Sequence, residues 1–107
     1  MRKTIQFAGT LAAVILLSGA VGFAQSPGAT IYKAKCQSCH GAEGTPNPGI
    51  AKAMGVKPAG DPSVKGMSEA QMIAITTNGQ GKMPAYKGKM SDSDIKASVD
   101  YFRTLAK

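Results

Sequence analysis

In the last third of the chain, Ile95, Val99, Phe102 and Ala106 recur every three or four residues, with Tyr101 and Leu105 on the flanks of the same stripe. That spacing winds one apolar face along a helix and marks it as core. Ser91 serves as its N-cap, Asp92 and Asp94 occupy the first turn, and Met90 is placed to staple onto Ile95. A second helix starts at the capping box formed by Ser68 and Gln71, with Met67 and Met72 as its staple, and stops at Asn78-Gly79. A first helix begins with Ser26 as N-cap and Pro27 at the first helical position, and runs through Ile31, Tyr32 and Lys35. Between the first and second helices, residues 41–66 are rich in Gly and Pro and carry little periodicity. They read as one extended loop, and a loop that long needs something to wrap around. No segment alternates as a strand does, and no internal repeat is present. The pattern predicts an all-α domain of three main helices joined by Gly- and Pro-rich loops.

The N-terminal segment follows a different logic. Met1-Arg2-Lys3 is a positive start, Leu11 to Leu17 is an apolar run, and Gly22-Phe23-Ala24 places small residues at a cut. This is the layout of a secretory signal peptide, residues 1–24, leaving a domain over residues 25–107. Ser18-Gly19-Ala20 offers a second cut. The stretch from Phe7 to Ala24 falls short of the ~20 apolar residues that span a bilayer, so no permanent membrane insertion is expected. No cysteine lies near either cut, which argues against a lipid anchor. The expected location is the periplasm.

The composition of the remaining domain changes the picture. It holds one Phe, three Tyr and no Trp. A domain of that size with so thin an aromatic supply has trouble closing a core on its own residues. A bound apolar cofactor would supply the missing bulk. Cys36-Gln37-Ser38-Cys39-His40 names one, because C-x-x-C-H is the attachment signature of c-type haem. Two thiols three positions apart lie on neighbouring turns of a helix end, within reach of the two vinyl groups of one porphyrin. The imidazole that follows meets the iron on the proximal side. In an oxidising compartment the competing fate of Cys36 and Cys39 is a disulfide. Zinc is disfavoured, since no second pair of ligands completes a four-coordinate site.

His40 is the only histidine, so a second axial ligand must come from elsewhere. Met67, Met72 and Met90 sit at staple or helix-face positions and read as core. Met83 lies in Asn78-Gly79-Gln80-Gly81-Lys82-Met83-Pro84-Ala85-Tyr86, between two helices. Pro84 turns it away from helical geometry, and the glycines let backbone approach a flat face. Met83 is the favoured ligand, and Met54, also assigned to a loop, is the alternative.

These motifs together resemble a small bacterial class I cytochrome c with one His/Met-ligated haem. The resemblance spans the chain after residue 24. It rests on C-x-x-C-H at 36–40, the Gly-x-x-Met-Pro-like loop at 79–84, and a C-terminal helix containing Asp100-Tyr101-Phe102. It implies the cytochrome c fold around one covalent haem c and its iron, with His40 and Met83 on the metal. It also implies that the first and last helices cross through Gly28, Tyr32 and Tyr101. A proline carbonyl in the first loop would accept from the proximal histidine, with Pro48 the candidate and Pro46 and Pro58 as alternatives. The tryptophan that many relatives place near a haem propionate is absent, and Tyr86 would take that contact.

His/Met ligation fills both axial positions and raises the reduction potential. The function implied is that of a one-electron carrier between respiratory or dehydrogenase partners, and not of an enzyme. The full chain carries +7, and without Arg2 and Lys3 eleven basic residues face six acidic ones, or +5, before two propionates subtract from it. Lys33, Lys35, Lys82, Lys87 and Lys89 bracket the two motifs, which suits docking of a monomer to acidic redox partners. Export and the lack of basic–aromatic alternation argue against nucleic acid. The rival readings are a peroxidase or gas sensor with an open distal site, a thiol oxidoreductase, and a subunit docked in a larger oxidase or dehydrogenase.

Overall fold

The computed structural model describes residues 26–107. The signal-peptide expectation for residues 1–24 lies outside them. Six helices follow one another: α1 (Pro27–Lys35), α2 (Gln37–His40), α3 (Pro48–Met54), α4 (Pro62–Lys65), α5 (Glu69–Asn78) and α6 (Asp92–Thr104). Among the described residues there is no strand, only isolated bridges between Gln80 and Met83 and between Lys87 and Met90. The all-α expectation holds, and α1, α5 and α6 are the three main helices.

Each of the three starts where its cap predicts. The Ser26 hydroxyl accepts from the Ala29 amide, and that of Ser91 accepts from Asp94. At α5 the capping box is complete: Ser68 accepts from the Gln71 amide at 3.1 Å, and Gln71 accepts from the Ser68 amide at 2.8 Å. Helix α5 ends at Gly79, whose φ of 77° only glycine adopts freely.

The expectation of one extended loop over 41–66 is corrected by α3 and α4. Both begin with an acceptor side chain followed by proline. Asn47 accepts from Gly49 ahead of Pro48, and Asp61 accepts from Ser63 ahead of Pro62. These are N-cap and N1 signals that need no hydrophobic stripe. Neither helix buries a residue of its own, which is why periodicity missed them. Met54 consequently ends α3 instead of lying in a loop.

The core sits where α6 meets α1 and α5. Met72, Ile95 and Val99 form its buried centre, with Met67, Tyr86, Met90 and Phe102 packed around it. The N-terminal staple residues Met67 and Met90 are therefore in place. Helix α6 crosses α1 at Gly28, where a Cβ would land on the Ala97 carbonyl oxygen and 3.2 Å from Tyr101 Cβ. Beside that crossing, the Tyr32 ring lies 5.2 Å from Tyr101 and 6.2 Å from Phe102 between centroids. The crossing residues expected from the resemblance are the ones found. On the outside, Lys96 reaches Glu69 of α5 at 3.4 Å and Asp100 at 2.7 Å. Exposed pairs of this kind contribute little to stability.

Candidate functional site

The C-x-x-C-H segment is a helical turn set off from α1 by a break at Cys36. The Cys39 and His40 amides both return to the Cys36 carbonyl, at 3.2 and 3.0 Å, so the Lys35 carbonyl loses its helical partner. The turn is short, and a buried group holds its end: the Tyr32 hydroxyl donates to the Gly41 carbonyl at 2.5 Å. Tyr32 is 1% exposed. Phe102 then meets the His40 ring edge-on, with centroids 5.1 Å apart. Three elements (α1, α6 and the turn itself) thus fix the direction of the imidazole.

Cys36 and Cys39 are both half-buried and form no disulfide with each other. Burial, and secondarily the neighbouring Cys39 thiol, pushes Cys36 up to about 11. Burial pushes the His40 imidazole down from its ordinary value. Both groups are therefore uncharged at neutral pH. The Nδ1 atom of His40 is buried without a hydrogen-bond partner, an arrangement proteins rarely leave unexplained. Two thiols one turn apart and a neutral imidazole held by packing form a donor set that fits covalent haem. Among the described residues no cluster of three or more His, Cys, Asp or Glu is available for a separate metal ion.

Met83 lies in a tight loop fastened at several points. Its amide donates to Gln80 at 2.9 Å and its carbonyl accepts from Gln80 at 3.1 Å. Gly79 packs so closely on this turn that a Cβ would lie 2.8 Å from the Met83 carbonyl oxygen. The loop then returns to α5 through the Tyr86 amide on Thr76 and the Lys87 amide on Thr77. Lys82 reaches across to the Ala53 carbonyl at 2.6 Å, next to Met54. The Met83 side chain is half-buried.

Pro48 and Tyr86, expected at the margins of the site, have these surroundings. Pro48 is exposed at the first position of α3, and His40 makes no hydrogen bond to it. Of Pro46, Pro48 and Pro58, only Pro46 is buried. The Tyr86 hydroxyl, expected to meet a propionate, donates instead to the Lys35 carbonyl at 3.1 Å. Burial first, then Cys36 and Cys39 beside it, raise the Tyr86 phenol above its ordinary value. Tyr32 as a donor to the turn and Lys82 as a bridge to α3 were not legible as site residues. A tyrosine at an otherwise apolar helix contact was the only available signal.

An all-α shell closing on a C-x-x-C-H turn, with a methionine loop folded back toward it, defines a c-type cytochrome. The family model described as "Cytochrome C oxidase, cbb3-type, subunit III" matches residues 23–102. Cytochrome c6 of Picosynechococcus sp. is 34% identical over 99% of this chain and 96% of that protein. Cytochrome c6 of Leptolyngbya boryana is 38% identical over 69% of this chain and 84% of that one. The cbb3-type cytochrome c oxidase subunit FixP of Bradyrhizobium sp. is 32% identical over 78% of this chain, which spans 28% of that subunit. A solved structure described as KustC0563 c-type cytochrome superposes with a TM-score of 0.68 at 26% identity, over 75% of this chain and 98% of that one. The chain belongs to this cytochrome c family as a small class I member, an electron carrier whose cofactor is covalently bound haem c.

Proposed function

We propose that this chain is a periplasmic one-electron carrier that holds its haem through thioethers from Cys36 and Cys39, with His40 and Met83 as the axial ligands. The bound group supplies an iron centre that changes oxidation state without making or breaking bonds in a substrate. What this chain contributes is orientation and exclusion. Tyr32 and Phe102 hold the His40 ring, and the thioether of Met83 is a soft donor that favours the ferrous state. With His40 and Met83 both on the iron, small ligands would have no easy entry, which suits carriage over bond-making. The single observation that carries this reading is the hydrogen bond from Tyr86 to Lys35, which brings the Met83 loop against the C-x-x-C-H turn.

Optical spectra of the exported protein test it. A c-type pyridine haemochrome is expected, together with the weak far-red band of methionine bound to ferric iron. Met83→Ala should abolish that band and open the iron to cyanide or carbon monoxide. A c-type haem without the band in the natural sequence would instead favour the open-site reading, and no haem after competent maturation would return the cysteines to disulfide chemistry.

The same hydrogen bond brings the chain at Lys35 near Tyr86, the neighbour of Lys87, and Lys33, Lys35, Lys87 and Lys89 are all exposed. One basic face near the site would steer an acidic redox partner. Electron-transfer rates with such a partner should fall about tenfold from low to physiological salt, as steered associations do. A rate flat in ionic strength would leave the lysines to solubility alone. The match to oxidase subunits favours a second reading, a haem module docked on a membrane oxidase. Recovery of the tagged protein with oxidase subunits, and not free in the periplasmic fraction, would select it.

A further inference from the structure

We propose that Tyr86 is a positioning residue whose hydroxyl latches the Met83 loop onto the end of α1 and so keeps Met83 at its ligand position. The inference rests on the reading of Met83 as axial ligand, and concerns what holds it there. The break at Cys36 leaves the Lys35 carbonyl without its helical donor, since the Cys39 amide turns to Cys36 instead. The Tyr86 hydroxyl, 51 residues away, fills that vacancy at 3.1 Å.

The ring that carries this hydroxyl is itself anchored. It packs on the Met72, Ile95 and Val99 core. Its backbone amide is held by Thr76 at 3.0 Å, and its carbonyl accepts from Lys89 and Met90 at 2.9 and 3.0 Å. Tyr86 is therefore rigidly fixed to α5 and the core, and its one free polar atom reaches the residue just before the first haem cysteine. Phenylalanine would keep the packing and lose only the latch. The second tie across the site, from Lys82 to Ala53, starts from an exposed and flexible side chain, so it holds the loop less firmly.

Tyr86→Phe in the purified holoprotein separates this role from general packing. Two readouts are followed: the rate at which imidazole binds the oxidised form, and the loss of the far-red methionine band in denaturant beside the loss of far-UV helix signal. The expected result is a band intact without denaturant, imidazole binding about 2- to 10-fold faster, and a band lost at lower denaturant than the helices. That range is what one net hydrogen bond supplies. Unchanged binding, or band and helix signal shifting together by the same amount, would reduce Tyr86 to ordinary packing and overturn the proposal. Met83→Ala, run alongside, keeps the two readings apart. If it retains the band, the ligand assignment itself fails; if it loses the band while Tyr86→Phe changes nothing, only the latch fails.

Discussion

Replacing Gly28 with valine is expected to cost the holoprotein about 3 kcal/mol of unfolding free energy, or more. Over-packing costs ~1–3 kcal/mol where neighbouring side chains can give way. Here the neighbour is main chain. A Cβ on Gly28 would fall on the Ala97 carbonyl oxygen and 2.9 Å from its carbon, so α1 must move off α6. Helix propensity acts in the opposite direction, but Gly28 is the second residue of α1, where the advantage of alanine falls short of the ~1 kcal/mol it has in a helix interior. Gly28→Ala decides between them. If propensity won, alanine would stabilise; the contact with Ala97 predicts a loss of ~1–3 kcal/mol instead. Denaturant unfolding followed by far-UV circular dichroism reads both variants. An alanine variant at least as stable as the parent would mean that the two helices separate at little cost. The displacement also matters for the site, because α1 carries Tyr32 and leads directly into Cys36.

Tyr32 should show the other large effect. Tyr32→Ala is expected to lose ~4 kcal/mol, as buried aromatic truncations do. Tyr32→Phe keeps the contacts to Tyr101 and Phe102 and removes only the donor to Gly41, for a loss of ~1–3 kcal/mol. The hydroxyl also predicts a pH dependence. Burial above all, then Cys36 and Tyr101, holds the Tyr32 phenol above its ordinary value of 10.0. Burial, the dominant cause, would persist in the proposed holoprotein, where the Cys36 sulfur is an uncharged thioether. The folded state thus keeps this proton to higher pH than the unfolded chain does. The stability it contributes is complete below pH 10 and declines above it, by up to ~1.4 kcal/mol per pH unit. Tyr32→Phe lacks that decline, so the stability gap between parent and variant should narrow as pH rises past 10. A gap that stays constant through that range would mean the phenol is not shielded from water in the folded state. Loss of order at Gly41 should also loosen His40, visible as a change in the haem spectrum of Tyr32→Ala.

Much of this molecule was legible in its sequence, for reasons that are local. Caps act within four residues, so Ser26, Ser68 and Ser91 locate the starts of α1, α5 and α6 without knowledge of the rest. The Ile95–Val99–Phe102 stripe names its own buried face. C-x-x-C-H is a local pattern whose chemistry depends on spacing alone, and the turn around Met83 is written in Gly79, Gly81 and Pro84. The helices α3 and α4 were written as well, in Asn47-Pro48 and Asp61-Pro62. Reading for apolar periodicity passed over them because helices of 7 and 4 residues bury nothing of their own.

The sequence by itself therefore determined the helix starts, the core stripe, the C-x-x-C-H motif and the shape of the methionine loop. Only the tertiary structure decided which of these meet. That Tyr86 finds Lys35 across 51 positions, that Lys82 finds Ala53 across 29, and that Pro46 and not Pro48 is buried follow from the path of the chain over the core. A tyrosine hydroxyl or a lysine ammonium can serve many acceptors within its reach. Which one it takes depends on where α6 pins α1 and α5, and no residue carries that information alone.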